Sequence, residues 1–552
     1  LREKVLIVTG GWLTGQEGSL LRVARKAWMQ WRASEEAWLD LKVKAVMAEP
    51  LIAARLERVR HPPDDAAVRR FLDHRDNVET PPLTEVVLAT LLDQAGLAYE
   101  RMPMDEIAAD PAAAERKLAA TGCVFLSSTY LHDLSELEPI VRRLKRPHNR
   151  IVVGGALAGI LHHTWKGMPE VDLLAVGYGE RLIGPLAAWI RSGYRELEPP
   201  PGGRLVHRTG GGAAAILYSG VPEGTSLDHL PPPDWELAVR DHGKQFRMVY
   251  YESVRGCPYR CNFCNYPYLF DDTRFRYKSA ERIATDWERY AEQGVELVTC
   301  LDSLFTVPRP RLRELCRRLI EKRLPLRWVC YARADDLADE ETVVLMKEAG
   351  AWQVQIGIES GDPVQLDNMD KACTVEANAR ALANCRKHGL TSVVSLIVGF
   401  PGETRQTLER TYAFLAATPP DFYFLATFST RVAGVPLLSP ENRARFGLRV
   451  MDGLRSMAPY WEHATMSCAE VGGHVRDLDR RLMRDRIALN AALFYPSLLA
   501  YTPDLREPLL DWQQRAVSRH PVLERGFDRL HGWIDRRLAR AVRAAFLHPL
   551  PS

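Results

Sequence analysis

From residue 4 the chain reads "KVLIVTG", an unbroken apolar and β-branched run that stops at Gly10 and Gly11. The same form returns at "CVFLSST" (123–129), "NRIVVGG" (149–155) and "VDLLAVGYGE" (171–180). Short runs without polar alternation predict strands buried on both faces. Between them lie helical stretches such as "LTEVVLATLLDQAGL" (83–97), with Gly96 as its stop, and "LSELEPIVRRLKR" (134–146). Strands separated by helices predict a parallel, doubly wound sheet. Such a sheet takes its ligand beyond the carboxyl ends of the strands. That places Ser127, Ser128, Thr129, Gly154, Gly155, Gly177, Gly179 and Glu180 at the candidate binding edge. About 70 residues separate the first strand from the helix at 83–97. This insertion, near 11–80, includes a helical pattern over 17–41 and is expected to cap the site.

The pattern then breaks. Residues 196–244 are crowded with Pro and Gly and read as a connector carrying one strand. A second alternation follows, with strands expected over 246–256, 295–303, 326–333, 352–360, 390–400 and 421–429. Helix-compatible segments follow all but the last. Successive βα units over 245–430 predict a full or partial TIM-type barrel whose chemistry belongs at its carboxyl-end face. Residues 431–552 are mostly helical in pattern. The chain is therefore read as α/β in three parts: a Rossmann-like domain over 1–195, the barrel, and a helical C-terminal domain. Tyr460, Trp461, Trp512 and Trp533 are expected as core rather than as stacking surfaces for a flat ligand.

Composition narrows the class. A chain of 552 residues, 46% hydrophobic and 26% charged, reads as globular and is long enough for two or three domains. A net charge of +3 gives no case for a nucleic-acid-binding surface. No apolar run reaches the roughly 18 residues of a membrane span. Ten cysteines in such a length make no disulfide framework, so the scattered ones read as buried thiols of a reducing compartment, the cytoplasm.

Three of the ten are not scattered. "RGCPYRCNFC" (255–264) sets Cys257, Cys261 and Cys264 in a C-x-x-x-C-x-x-C spacing. A chain of this composition gives roughly 0.003 chance occurrences of such a triple. A structural zinc site needs a fourth Cys or His, and none occurs between Cys264 and Cys300. A 4Fe–4S cluster takes one thiolate per iron, so three cysteines leave one iron open to a substrate or cofactor with oxygen and nitrogen donors. An open position marks a metal centre that reacts.

This spacing after the first strand of a βα barrel, with Phe263 before the last cysteine, resembles the radical S-adenosylmethionine (SAM) enzymes. "CLDSLFT" (300–306), "YARADDL" (331–337), "IGIESGD" (356–362), "MDKACT" (369–374) and "SLIVGFPGET" (395–404) resemble, in order and spacing, the subgroup with an N-terminal cobalamin domain. The resemblance implies a 4Fe–4S cluster on the three cysteines and SAM chelated to its open iron. Phe263 would lie against SAM, Asp302 would contact the methionyl amino group, Glu359 and Ser360 would lie near the ribose or carboxylate, and Val398, Gly399 and Phe400 near the adenine. "FLSSTYLHDL", "IVVGGALAG" and "VGYGERLIGPL" resemble the strand ends of the subgroup's Rossmann-like cobalamin domain, so the edge residues named above would hold cobalamin. The Asp-x-His-x-x-Gly motif of other cobalamin domains is missing, and the lower face of cobalt has no assigned occupant. The implied activity is methyl transfer from SAM, via methylcobalamin, to a carbon or phosphorus of a small-molecule or peptide precursor, as in the thiopeptide tryptophan methylase or phosphinate P-methylase branches. An external electron donor such as flavodoxin or ferredoxin is implied as a partner, and no membrane. Rearrangement or cyclisation without methyl transfer is the alternative, and RNA methylthiotransferase-like chemistry a weaker one. No side chain is assigned as catalytic.

Overall fold

A computed structural model describes residues 3–547 except 12–37, 132, 209–213, 271, 431–433 and 452–458. Most of the helical pattern expected over 17–41 therefore lies outside the described residues. The chain divides into two compact units, one of Leu1–Thr14, Thr80–Tyr259 and Asn265–Val295, the other of Gly15–Glu79, Arg260–Cys264 and Glu296–Ser552.

The first unit is built on β1 (Val5–Thr9), β2 (Tyr99–Pro103), β3 (Cys123–Ser127), β4 (Arg150–Gly154), β5 (Leu173–Val176), β6 (Arg204–Arg208) and β7 (Ala214–Tyr218). They form one sheet in the order β2-β1-β3-β4-β5-β7-β6, parallel except for β6. The apolar runs are continuous because both faces are covered. Leu6, Val8, Val124 and Leu126 pack on one side with Leu137 and Ile140, whereas Val5, Ile7 and Phe125 pack on the other with Leu92, Leu182 and Leu186. Each such side chain contributes about 1.5–3 kcal/mol. The order reverses at β1, so the crevice between the ends of β1 and β3 is the switch point where such sheets take ligands. There Gly11 lies so close to Tyr130 that a Cβ would meet that residue's Cβ at 3.0 Å. The Pro/Gly-rich stretch contains two strands, β6 and β7, where one was expected. The unit also holds β8 (Met248–Tyr251) and the short antiparallel pair β9 (Val254–Arg255) and β10 (Arg276–Tyr277).

In the second unit β11 (Leu297–Cys300), β12 (Arg327–Ala332), β13 (Ala351–Glu359), β14 (Thr391–Val398) and β15 (Phe422–Thr427) run parallel, side by side in that order. The connecting helices include Arg309–Lys322, Glu340–Glu348, Val375–Lys387 and Arg405–Ala417. On β13, Val354, Ile356 and Ile358 are fully buried while Gln355 and Gly357 are half-buried, as expected for a strand with one face under helices and the other lining a barrel interior. Three short strands, β16 (Arg449–Val450), β17 (Trp461–His463) and β18 (Met466–Ser467), make a separate antiparallel sheet, and β19 (Leu489–Asn490) pairs in parallel with β15.

The described part of the insertion belongs to this second unit. Its helix Trp38–Arg60 packs against the C-terminal helices Cys468–Arg484, Arg506–Ser518 and Pro521–Leu547. Ion pairs pin it there: Lys42 to Asp535 at 2.7 Å, Glu49 to Arg476 at 2.7 Å and Glu57 to Arg519 at 3.3 Å. The expected cap is thus an integral wall of the helical C-terminal region. Tyr460, Trp461 and Trp512 are buried as expected, whereas Trp533 is 39% exposed and meets Trp38 edge-on at 5.1 Å. No helix among the described residues is long and apolar enough to cross a membrane.

Candidate functional site

At the carboxyl ends of β3 and β4 the polar groups satisfy one another. The Ser128 N–H and hydroxyl both donate to the Gly154 carbonyl, at 2.7 and 2.6 Å, and the same hydroxyl accepts from the Ala158 N–H at 3.1 Å. The Ser127 hydroxyl donates to Thr129 Oγ1 at 3.1 Å. Gly155 has φ 97°, and a Cβ there would sit 2.7 Å from Thr129 Oγ1 and 2.9 Å from its nitrogen, so a side chain is excluded on both counts. After β5, Gly177 (φ 101°) lies against the Ser219 hydroxyl, which accepts from Tyr178 N–H at 2.8 Å. A Cβ on Gly179 would meet nothing within 4 Å, so that position faces open space. Glu180 is not free to serve a ligand as a lone carboxylate. It pairs with the buried Arg255, whose other partner is Glu252 at 2.8 Å.

The three cysteines follow β9. Gly256, at φ 74°, admits the chain so close to Arg274 that a Cβ would lie 2.5 Å from its carbonyl oxygen. Beyond it the Cys264 N–H closes a turn on the Cys261 carbonyl at 3.1 Å. Asn262 anchors this turn: its N–H donates to the Met369 carbonyl and its amide to that of Asn368, each at 2.9 Å, and its own carbonyl accepts from Leu437 N–H at 3.0 Å. Cys257 and Cys264 are half-buried, Cys261 is buried, and all ten cysteines are free thiols. The remote Cys316 and Cys385 are pushed up to about 12 by burial, which makes them inert near neutral pH. Among the described residues no three His, Cys, Asp or Glu side chains form a group able to hold a single metal ion. A cluster distributes its thiolates over separate irons, so that geometry is not the one it needs.

Two cations flank Cys261. Burial raises its thiol pKa, and the nearby Lys371 and Arg333 oppose that rise. Lys371 is buried and bonds Glu359 Oε1 at 2.9 Å; burial pulls its pKa down, but Glu359 and Cys261 more than offset this and hold it above the ordinary lysine value. Arg333 donates to the carbonyls of Lys371 and Ala372 at 2.8 and 2.9 Å and to Asp335 at 2.7 Å. Asp370 and Ala372 both take the left-handed conformation, as does Glu359 at the bulge where β13 meets β14. Strain of this kind, about 1–3 kcal/mol per residue, persists only where the surroundings over-determine it. A Cβ on Gly357 would fall 2.4 Å from Glu359 Oε1 and 2.8 Å from Lys371 Nζ, so a side chain there would displace the ion pair.

The remaining expected residues are placed as follows. Asp302 is 2% exposed, two residues beyond β11. Ser360 is buried, its hydroxyl at 3.1 Å from both Thr411 Oγ1 and Asp362 N–H, so it shapes the turn after β13. The Val398 carbonyl accepts from Phe428 N–H at 2.8 Å, and the Gly399 N–H donates to the Glu403 carboxyl group. Burial pushes Glu403 up to about 8 against the lowering effect of that N–H, so at neutral pH it is mostly a neutral acid. Phe263 meets Phe400 edge-on at 6.2 Å, bringing the cysteine loop against the strand-end segment 398–400. Sequence reasoning passed over Lys371, Arg333 and Glu403, although all three stand inside motifs it singled out. It also missed His463, for which the chain offers no signal.

Against known proteins, residues 251–415 match the radical SAM superfamily. The chain is 29% identical over 279 residues to an uncharacterized methyltransferase of Pyrococcus horikoshii, covering 50% of this chain and 59% of that protein. It is 26% identical over 277 residues to the anaerobic magnesium-protoporphyrin IX monomethyl ester cyclase of Rubrivivax gelatinosus, covering 49% of each. The chain thus spans about half the length of the curated relatives it matches. Among solved structures, the radical SAM methyltransferase TsrM of Kitasatospora setae, with cobalamin and a [4Fe-4S] cluster bound, aligns at TM-score 0.61 and 19% identity over 80% of this chain and 97% of that one. The cobalamin-dependent radical enzyme OxsB with aqua-cobalamin aligns at TM-score 0.55 and 15% identity, covering 84% and 78%. At these identities the likeness is one of fold.

Proposed function

We propose, from the radical SAM match over residues 251–415, that the chain transfers a methyl group from SAM, by way of cobalamin, to a carbon or phosphorus of a small-molecule or peptide precursor. The observation that carries this reading is the donor set. Cys261 and Cys264 on a turn anchored by Asn262, with Cys257 four residues before it in the chain and two buried cations flanking Cys261, suit thiolates shared among the irons of a cluster. The strand ends of the first unit suit a bulky ligand: Gly155 and Gly177 let the loops pack tightly against Thr129 and Ser219, the Ser127, Ser128 and Thr129 hydroxyls fix the loop after β3, and Gly179 opens outward. When bound, a 4Fe–4S cluster supplies the electron for SAM cleavage and cobalamin carries the methyl group.

The chain's own residues then bind and orient. Cys257, Cys261 and Cys264 hold the cluster. Asp302 and Glu359 receive the methionyl amino and ribose groups, with Lys371 fixing Glu359 and Ser360 fixing the turn behind it. Val398, Gly399 and Phe400 receive the adenine. Electrons come from an external donor of the flavodoxin or ferredoxin kind. Ring closure without methyl transfer is the second reading, favoured by the similarity to the Rubrivivax cyclase. The test is anaerobic purification, reconstitution with iron, sulfide and hydroxocobalamin, and incubation with methyl-labelled SAM and candidate acceptors. Retained cobalamin, a cluster absorbance lost in Cys261→Ala, and label in the acceptor support the proposal. A cluster without cobalamin would sink it. Both cofactors with SAM consumed and an unlabelled product would transfer the case to ring closure.

A further inference from the structure

Beyond the radical SAM match, the small sheet β16–β18 brings His463 against the end of β14. His463 Nδ1 accepts from the Thr465 hydroxyl at 3.1 Å and from its N–H at 3.4 Å. The ring proton is therefore on Nε2, which donates to the Gly399 carbonyl at 3.2 Å. Burial lowers the pKa of this imidazole. Trp461 lies parallel to it, with ring centroids 5.3 Å apart. Val471 and Trp461 close the space behind Gly399: a Cβ there would come 2.4 Å from Val471 Cγ2 and 3.4 Å from the indole. Both polar groups of Gly399, at φ 89°, are thus fixed, the N–H by Glu403 and the C=O by His463. From Trp461 a run of ring contacts passes through Phe428 (4.9 Å) and Phe400 (5.4 Å) to Phe263 (6.2 Å) on the cysteine loop.

We propose that His463 is a positioning residue for the adenine end of SAM. Its Nε2–H, donated to the Gly399 carbonyl, sets the 398–400 backbone that receives the nucleobase, and the Trp461–Phe428–Phe400–Phe263 run ties that placement to the cysteine loop. The inference rests on the assignment of 398–400 to the adenine. A strand-end glycine in the left-handed region has several orientations open to it, and anchoring both of its polar groups within the protein selects the one in which the 398–400 segment can take a flat nucleobase against it. The C-terminal region, outside the radical SAM match, selects that orientation.

The test is equilibrium dialysis of the full chain against methylthioadenosine, which carries the nucleoside without the methionyl group and needs no cluster, followed by SAM with the reconstituted enzyme. His463→Leu is expected to weaken methylthioadenosine about tenfold, the scale of one lost hydrogen bond and the disorder it releases. His463→Gln, whose amide reaches as far as Nε2, is expected to recover most of that loss. Iron content per chain stays at the wild-type level in both, a readout that general loss of structure would move. If the leucine variant melts early, His463→Asn, polar but too short to reach Gly399, gives the same contrast with glutamine. Wild-type binding with leucine, or asparagine, equal to glutamine overturns the inference alone. Wild-type protein that binds SAM but not methylthioadenosine overturns the adenine assignment and the inference with it, leaving the methyl-transfer reading to its own test.

Discussion

At the end of β3 the Ser128 N–H and hydroxyl both engage one neutral carbonyl, that of Gly154, and the residues around it are glycines and hydroxyls. At the end of β13 the corresponding place is charged: Glu359 sits in a left-handed conformation against the buried Lys371, with Arg333 behind it. Both are carboxyl ends of parallel strands, yet one is a neutral cradle and the other a field of fixed charges. The charge near the first cradle, Glu180, is neutralised by Arg255 within its own unit. The difference suits the two ligands proposed. A large corrin needs clearance and weak directional contacts, whereas a zwitterionic methionyl group and a cluster of thiolates need cations and anions held at set positions in low dielectric.

The largest expected effect comes from unbalancing the charged end. Lys371→Met leaves the Glu359 carboxylate buried without its cation and is expected to cost the second unit about 3–5 kcal/mol. Urea unfolding followed by tryptophan fluorescence measures it. The double variant Glu359→Gln with Lys371→Met removes both charges and is expected to recover much of the loss. If the single variant is neutral, the pair is solvated and the contrast between the two strand ends collapses.

Next come the glycines. Gly155→Ala forces a positive φ on a residue with a Cβ 2.7 Å from Thr129 Oγ1, a strain of about 1–3 kcal/mol that falls on the cradle. Cobalamin affinity, read by absorbance titration, is expected to drop at least about tenfold while SAM affinity holds. Gly399→Ala, with its Cβ driven into Val471, is expected to reverse the pattern. Equal loss of both ligands from either variant would mean that the two ends are not separate binding elements.

How much of this was legible follows from what each residue touches. β1, β3, β4 and β5 could be read because helices cover both faces and leave no polar alternation. β2 could not, since Glu100 and Arg101 give the edge strand a loop-like composition, and β6 and β7 were hidden by flanking Pro and Gly. The cysteine triple could be counted from the chain alone. Lys371 stood in a quoted motif, but its place beside Cys261 depends on left-handed turns at Asp370 and Ala372 that no pattern announces. His463 reaches Gly399 across 64 residues of chain, and helix Trp38–Arg60 finds Arg476 across 427 from Glu49. Tertiary pairing of that length leaves no periodicity to read.

Over pH 6–8 a smaller effect belongs to the end of β14, where Glu403 holds Gly399. Glu403 is pushed from 4.5 to about 8 in the folded protein. Between those values the native state keeps a proton that the unfolded chain has released, so stability is full below pH 4.5 and declines as pH rises, by at most about 1.4 kcal/mol per unit. Asp479, pushed up to about 6, adds a similar slope only up to that pH. Glu403→Gln has no carboxyl to ionise and is expected to flatten the curve between pH 6 and 8. Melting temperatures of the two proteins over that range measure the difference. Parallel curves would mean that Glu403 ionises normally and that its contact with Gly399 is solvent-screened.

The smallest expected effect tests the neutral cradle itself. Ser128→Ala removes one of two donors to the Gly154 carbonyl, which keeps the Ser128 N–H bond at 2.7 Å, and takes from Ala158 N–H its acceptor at 3.1 Å. One such loss costs about 1 kcal/mol and is expected as a modest fall in the melting temperature of the first unit. Because this hydroxyl is already engaged within the protein, cobalamin affinity is expected to change less than about threefold, under 1 kcal/mol. A collapse of cobalamin binding in Ser128→Ala with normal melting would show that the hydroxyl leaves Gly154 to meet the ligand. The first strand ends would then be a reactive polar site like the second, and the distinction between clearance and charge would fail at the place where it is drawn most sharply.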